Sequence, residues 1–266
     1  MDQGERLRRA CAEREKAWPA PIEWHPQLSS TSDRLKDLAR GGAAEWTTVV
    51  AERQSGGRGR EGRSWVSPPG GLYLSVLLRP RFAAVGLVPL AAGVAVAEAT
   101  AIHGVVVELK WPNDVIAGGR KLGGILSEAS SGPSGVEWIV VGIGVNVLAG
   151  EDELGKQLRD EATSMVLQGG APPPLWSLAA DVLASLSRWY DAVQARPRAV
   201  VDAWRARAVP WWGQVAEVRT AAETFRGRLR DVDDEGALIV DLALGGSRRV
   251  VSGELVRLRR AGAGGR

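Results

Sequence analysis

Between Ala51 and Trp65 the chain reads AERQSGGRGREGRSW, four Arg and four Gly in one short run, and its flanks limit the fold more than any other feature. On one side, Trp46 to Glu52 carries TTVVA between polar neighbours, a strand signal. On the other, GLYLSVLLRP places Leu72, Leu74, Val76 and Leu78 at strand period. The basic loop therefore connects two strands. Gly57, Gly59 and Gly62 do match G-x-G-x-x-G, but that fingerprint needs a helix opened by the third glycine and an acid about twenty residues later. Here Pro68-Pro69-Gly70-Gly71 and a strand follow, and no Asp or Glu lies between Glu61 and Glu98. The phosphate-loop pattern ending in Gly-Lys-Ser/Thr is absent as well. What remains is a donor-rich loop whose amides can nest an anion and whose guanidinium forks match carboxylate and phosphate oxygens. By itself the run also fits a solvated basic loop.

Further along, Pro89 suits the first turn of a helix that runs through an Ala-rich stretch to His103 and stops at Gly104. The apolar run Val85 to Ile102 contains Pro89 and Glu98 and reads as a buried helix, not a membrane span. Strands are expected at Val105 to Lys110, Ile125 to Ala129 and Trp138 to Val147, the last two parted by the turn-rich SSGPSG. After PPP, Leu175, Leu178, Val182, Leu186, Trp189, Tyr190 and Val193 recur at helical spacing, and a shorter helix follows from Pro197 to about Arg207. From Trp211 the texture changes to short strands with tight turns, Asp233-Asp234-Glu235-Gly236 marking a hairpin in a small β-barrel.

Composition agrees with a core-forming chain. With 266 residues and 45% hydrophobic side chains it can build one generous domain and a small second one. A net charge of +3, drawn from many charges of both signs, permits anionic partners without demanding them. Cys11 is the single cysteine, so no disulfide or thiolate metal cluster can form within the chain, and a reducing cytoplasm is the expected compartment. The opening MDQGERLRRACAEREKAW lacks the apolar core of a signal peptide. His25 and His103 are too few for a metal centre, and His103 suits a helix C-terminus. Most of the eleven Trp residues, such as Trp176, Trp189 and Trp204, read as packing.

A second constellation raises the odds of a ligand site. Glu108-Leu109-Lys110-Trp111-Pro112-Asn113-Asp114 sets one lysine at a strand end, where it can neutralise a phosphate or an acyl carboxylate as a point charge. An ordinary edge lysine would look the same. Gly118-Gly119-Arg120-Lys121-Leu122-Gly123-Gly124 and Gly142-Ile143-Gly144-Val145-Asn146 crowd glycines into strand patterns, as happens where a ligand approaches the backbone closely.

Together these runs carry a family likeness. GRGREGRSW from Gly57, KWPND from Lys110, KLGGILSE from Lys121 and GIGVN from Gly142 resemble the biotin protein ligases in order and separation, and Ser30-Thr31-Ser32-Asp33 resembles their Ser-Thr-Asn biotin motif. The likeness spans roughly Ser29 to Leu258, including Ala162-Thr163-Ser164. It implies an α+β fold: a polar segment over 1–27, a class II aminoacyl-tRNA-synthetase-like mixed-sheet catalytic domain over 28–209 with helices packed on it, an SH3-like β-barrel over 210–260, and a tail over 261–266. It also implies two steps: biotin and ATP, with Mg2+, give biotinyl-5′-adenylate and pyrophosphate, and the acyl group then passes to one lysine of a biotin carboxyl carrier domain.

The site residues implied by the likeness divide along the cavity. Ser30, Thr31, Ser32 and Gln54 would contact biotin, and Arg58, Gly59 and Arg60 would cover biotin and the adenylate. Lys110 would hold the carboxylate and α-phosphate oxygens, so Lys110, Arg58 and Arg60 are the catalytic candidates. Gly57, Arg63, Trp65, Asn113 and Asn146 would lie toward the nucleotide, with Trp111 nearby, and no protein ligand is assigned to the metal. Two positions depart from the pattern: Ser32 has a hydroxyl where the family commonly has an amide, and Glu61 puts an acid into a loop that is more basic in relatives. Only about 28 residues precede the Ser-Thr motif, too few for the DNA-binding domain of repressor-type relatives, so no DNA and no membrane partner is expected. Whether the protein forms a homodimer stays open. The competing functions are a lipoate or octanoate ligase, which should lack the GRGRxGRxW and KWPND pair, and a non-enzymatic nucleic-acid binder, which would need aromatics interleaved with the arginines.

Overall fold

The computed structural model describes residues 1–14, 18–133, 135–154 and 161–257, so the expected tail over 261–266 lies outside the described residues. Seven strands form one sheet: β1 Ile22–His25, β2 Thr48–Ala51, β3 Gly71–Leu78, β4 Glu108–Lys110, β5 Asp114–Ala117, β6 Arg120–Gly132 and β7 Gly135–Asn146. Their order is β1-β2-β3-β7-β6-β5-β4, antiparallel at every step except the parallel pair of β1 and β2. The basic loop does join two neighbouring strands of this sheet, β2 and β3.

Helices cover both faces. Helix α1 (Gln3–Arg14), α3 (Val88–Ile102), α4 (Leu175–Ala195) and α5 (Pro197–Arg205) share one side, and α2 (Thr31–Arg40) takes the other, against β3 and β7. The alternation in β3 explains why both layers are needed. Leu72, Leu74, Val76 and Leu78 enter the large core with α3 and α4, while Leu77 packs against Leu35 and Ala39 of α2. All eight residues of β3 are buried, where a single apolar stripe was expected. Burying a Leu or Val side chain contributes roughly 1.5–3 kcal/mol.

Helix α3 is apolar on every side, with Val94, Ala95 and Val96 fully buried, and it is the central helix of the core, as the sequence suggested. Pro89 lies in its first turn, and His103 caps its end, its Nε2 2.8 Å from Asp181.

Four features went beyond the sequence reading, one of them β1, which adds Ile22–His25 of the segment read as polar to the edge of the large sheet. The opening segment, read only as polar, folds as α1: Leu7, Ala10 and Cys11 are buried, and Arg14 reaches Asp181 of α4 at 2.5 Å. So few apolar residues give little periodic signal, yet they suffice once α4 supplies the opposite wall. Helix α2 was hidden in the Ser-Thr motif, and β5 in the short DVIA preceding the Gly118-Gly119 turn, where both glycines have positive φ. The Cys11 thiol is pushed up to about 12 by burial. It should therefore resist a thiol-reactive disulfide reagent at pH 8 in the folded protein and react when denaturant is added, which an absorbance assay reads directly.

The C-terminal unit is a second, antiparallel sheet of β8 Val215–Arg219, β9 Thr224–Val232, β10 Leu238–Asp241, β11 Ser247–Val250 and β12 Glu254–Arg257, ordered β11-β10-β9-β8-β12. Val218, Leu229, Val232, Leu238 and Val240 form its buried side. The expected hairpin joins β9 to β10: Asp233 accepts from the amides of Glu235 and Ala237, and Gly236 has φ +87°.

Candidate active site

A cavity of about 600 Å³ opens between the large sheet, the basic loop and the edge of the C-terminal sheet. That size is in the range of small-molecule sites. One end is built by the N-terminus of α2. Ser30 caps the helix, its hydroxyl accepting from the Asp33 amide at 3.3 Å. The next residue, Thr31, donates its amide to Gln54 Oε1 at 2.9 Å, and Gln54 Nε2 donates to Ser67 Oγ at 2.9 Å. Beneath them the Ser75 hydroxyl lies 2.8 Å from Thr31 Oγ1 and 3.0 Å from Ser32 Oγ. Thr31, Ser32 and Ser75 are all buried, so this end carries a compact set of hydroxyl and amide groups in apolar surroundings. Ser75 was not anticipated, although a serine inside GLYLSVLL is a visible exception to the apolar run.

The loop folds over the cavity as a small hairpin, with a bridge between Arg58 and Ser64, and the Gly59 amide donating to Arg63 O at 2.7 Å. Glu61 and Gly62 turn the chain with φ of +56° and +75°. The arginines diverge. Arg58 meets Asp33 at 2.6 Å; Arg60 donates to Ser252 Oγ at 2.7 Å and Gly253 O at 3.1 Å; Arg63 meets Glu254 at 3.0 Å. Burial pulls the Arg60 guanidinium below its ordinary value. Trp65 closes the hairpin, its amide donating to Gly57 O at 2.9 Å, and lays its indole over the glycines of β6 and β7. A Cβ on Gly144 would come within 2.8 Å of Trp65 Nε1.

On the far wall, the strand end at Lys110 and the turn after it are fixed by Asn113, whose carbonyl accepts from the Ile125 amide at 2.9 Å and whose side chain donates to Ile125 O at 2.8 Å. The Trp111–Pro112 peptide is cis. Trp111 is buried and donates to Gly236 O, which ties this wall to the C-terminal sheet. Lys110 and Lys121 flank Asp114: Lys110 Nζ is 3.8 Å away, and Lys121 makes the closer ion pair. Each ammonium also stands 5.5 Å from an indole centroid, Lys110 from Trp211 and Lys121 from Trp65.

The cavity thus brings together Ser30, Thr31, Ser32, Gln54, Arg58, Gly59, Arg60, Arg63, Trp65, Lys110 and Asn113 of the sequence candidates. Two do not line it. Gly57 is buried under the loop, where a Cβ would be driven into the Trp65 carbonyl and toward Ser67 Oγ. Asn146 sits behind the wall and donates to Thr163 O at 2.9 Å; the Thr163 amide in turn donates to Lys121 O at 2.9 Å. Their positions make them supports, Gly57 for the hairpin and Asn146 for the strand that carries Lys121. Lys121 opens the KLGGILSE run and forms a basic pair with Arg120, but the sequence reading assigns it no role in the site, because nothing local distinguishes it from Arg120. Only pairing of β5 with β6 brings it beside Asp114. Among the described residues there is no group of three or more His, Cys, Asp or Glu able to hold a metal ion.

Comparison with known proteins agrees along most of the chain. Residues 24–146 match the model of the biotin/lipoate A/B protein ligase family, and residues 214–258 match the biotin protein ligase C terminal domain. A biotin--[acetyl-CoA-carboxylase] ligase of Mycobacterium tuberculosis is 34% identical over 87% of this chain and 86% of its own. The bifunctional ligase/repressor BirA of Bacillus spizizenii is 33% identical over 80% of this chain and 67% of its own. In structure, the biotin protein ligase of Aquifex aeolicus in complex with biotin and ATP superposes with a TM-score of 0.76 at 29% identity, over 89% of this chain and 97% of that one.

Proposed function

The chain belongs to the biotin/lipoate A/B protein ligase family, and from that premise we infer that it is a biotin protein ligase. It activates biotin with ATP to biotinyl-5′-adenylate, releasing pyrophosphate, and transfers the biotinyl group to a lysine of a biotin carboxyl carrier domain. The observation that carries this reading over a lipoate ligase is the polar end of the cavity. A ureido ring offers two N–H donors and a carbonyl to Thr31, Ser32 and Gln54, which Ser75 backs from beneath. A dithiolane offers none of these and would set apolar atoms against that polar end without gaining a hydrogen bond; sites built on such bonds discriminate strongly against analogues that lack them.

From the head group the acyl chain points its carboxylate toward the cations. When a carboxylate oxygen attacks the α-phosphorus, two anions converge and pyrophosphate departs with the bonding pair. Arg60, Lys110 and Lys121 offset that repulsion from fixed positions on the cavity wall. Lys110 and Lys121 share this role because both stand within the reach of one carboxylate, Asp114. Arg63, Trp65 and Asn113 lie toward the nucleotide. No protein nucleophile is required: the carrier lysine attacks the acyl carbon, AMP leaves, and the amine gives up its proton. Magnesium would enter with ATP and would supply charge neutralisation at the phosphates, and no residue of the chain is assigned to hold it.

Finer statements follow from the same reading. The catalytic domain over 28–209, whose sheet also takes in β1 at Ile22–His25, is class II aminoacyl-tRNA-synthetase-like, and the unit over 210–260 is an SH3-like barrel whose edge contributes Gly253 and Glu254 to the cavity. The protein acts in the cytoplasm on a carboxylase carrier, without binding DNA or membranes, and a homodimer joined through its sheet edges remains compatible with the fold. Pyrophosphate release with ATP and magnesium should occur with biotin and not with lipoate or octanoate, and a carrier domain should gain one biotinyl group by mass spectrometry. Release with lipoate alone would move the chain to the sister ligases. Operator retention in a gel shift at physiological salt would contradict the absence of a DNA role.

A further inference from the structure

We propose that Asp33 and Glu128 are positioning residues that hold the Arg58 end of the loop closed over the biotin end of the cavity, an inference that rests on the biotin ligase reading. Four charges of alternating sign form a ring there. Arg58 Nη1 is 2.6 Å from Asp33 Oδ1, and Nη2 is 3.4 Å from Glu128 Oε1; Lys36 Nζ closes the ring at 2.8 Å from Asp33 and 3.1 Å from Glu128. The members come from three separate parts of the chain: Asp33 and Lys36 from α2, Glu128 from β6 and Arg58 from the loop. Asp33 directly follows Ser32, and Glu128 lies two residues beyond Leu126, a residue of the cavity wall. Closure of the loop is therefore linked to both the hydroxyl end and the floor.

The ring is anchored at its base. The Lys36 side chain is only 13% exposed, and Glu128 Oε2 is buried with no hydrogen-bond partner, so both of the ring contacts of Glu128 are made through Oε1. Burial alone would raise the Asp33 carboxyl, yet hydrogen bonds from Lys36 and Arg58 hold it below the usual carboxylate range. The Arg58 pair is partly solvated and each contact by itself is weak, so it restrains the loop reversibly, as a strap that must admit and release ligand requires. If only the closed loop binds productively, apparent affinity scales with the closed fraction, whereas turnover of the loaded enzyme does not.

The test is a cycle of Glu128→Gln and Arg58→Ala, alone and together, read by biotin KM, kcat for pyrophosphate release and escape of biotinyl-adenylate into solution. Glu128→Gln should raise KM about threefold, leave kcat unchanged within error and speed adenylate escape. It should add nothing once Arg58 is already Ala. Unchanged KM in Glu128→Gln would overturn the proposal, and so would an equal KM increase in both backgrounds. A lowered KM would overturn it too, because the carboxylates would then be withholding Arg58 from the ligand. Asp33→Asn carries the same cycle if Glu128→Gln melts below the assay temperature. No biotin-dependent turnover in the unaltered protein would instead defeat the ligase reading, so the two failures are distinguishable.

Discussion

Lys121→Ala and Lys110→Ala should each lower the rate of biotin-dependent pyrophosphate release by about 10²–10³-fold, with little change in thermal midpoint. The size follows from what the lysines face. In solution, water reorganises around a carboxylate and a triphosphate as they meet; in the cavity, fixed ammonium groups must do that work, and they are already in place. Each lysine is tied to Asp114 and held near an indole, so removing one leaves the other shared with an unbalanced carboxylate. The double variant should consequently lose less than the product of the single losses. Neither side chain belongs to the apolar core, which is why folding should survive. A stopped-flow phosphate-coupled assay under saturating ATP measures both rates, and turnover equal to the unaltered protein in either variant would remove that lysine from the chemistry.

Gly57→Ala should reduce kcat/KM by roughly 10²-fold although Gly57 does not line the cavity, because misplacement of about 1 Å is enough to spoil a reacting geometry. A methyl group at this position would strike the Trp65 carbonyl oxygen and crowd Ser67 Oγ. Both obstacles are well anchored: Trp65 is paired with Gly57 across the hairpin, and Ser67 with Gln54. The hairpin would have to open, carrying Arg58 and Arg60 away from the cavity and loosening Gln54 at the hydroxyl end. By contrast, Gly62→Ala meets no neighbouring atom, and only its φ of +75° opposes the change, so its loss should be milder. Comparing kcat/KM for the two variants separates close packing under the loop from mere flexibility within it. Equal activities would mean that the hairpin adapts freely.

The larger sheet was legible where strand period and turn residues coincide: TTVVA, GLYLSVLL and the long hairpin around SSGPSG each show local alternation and local breakers. Helices α3 and α4 were equally readable, one from its uninterrupted apolar run and Pro89, the other from helical spacing after PPP. Helix α1 was not, since three buried side chains matter only against α4, far along the chain. The site divides in the same way. Composition and order of residues determined the family, the basic loop and the identity of most groups on the cavity wall, because those are properties of contiguous runs.

Tertiary structure alone decided how the groups are shared out. Arg60 and Arg63 reach Ser252, Gly253 and Glu254, Ser75 completes the hydroxyl end from within an apolar strand, and Lys121 joins Lys110 at Asp114 through strand register. It also withdrew Gly57 and Asn146 from the wall to positions behind it. The contacts of Ser75, Arg60 and Arg63 link residues from about forty to nearly two hundred positions apart, and the lysine pair, though close in sequence, depends on the register of β5 and β6. No local propensity encodes them; they exist because burial of the two sheets brings distant polar groups to the same small volume, where each must find a partner.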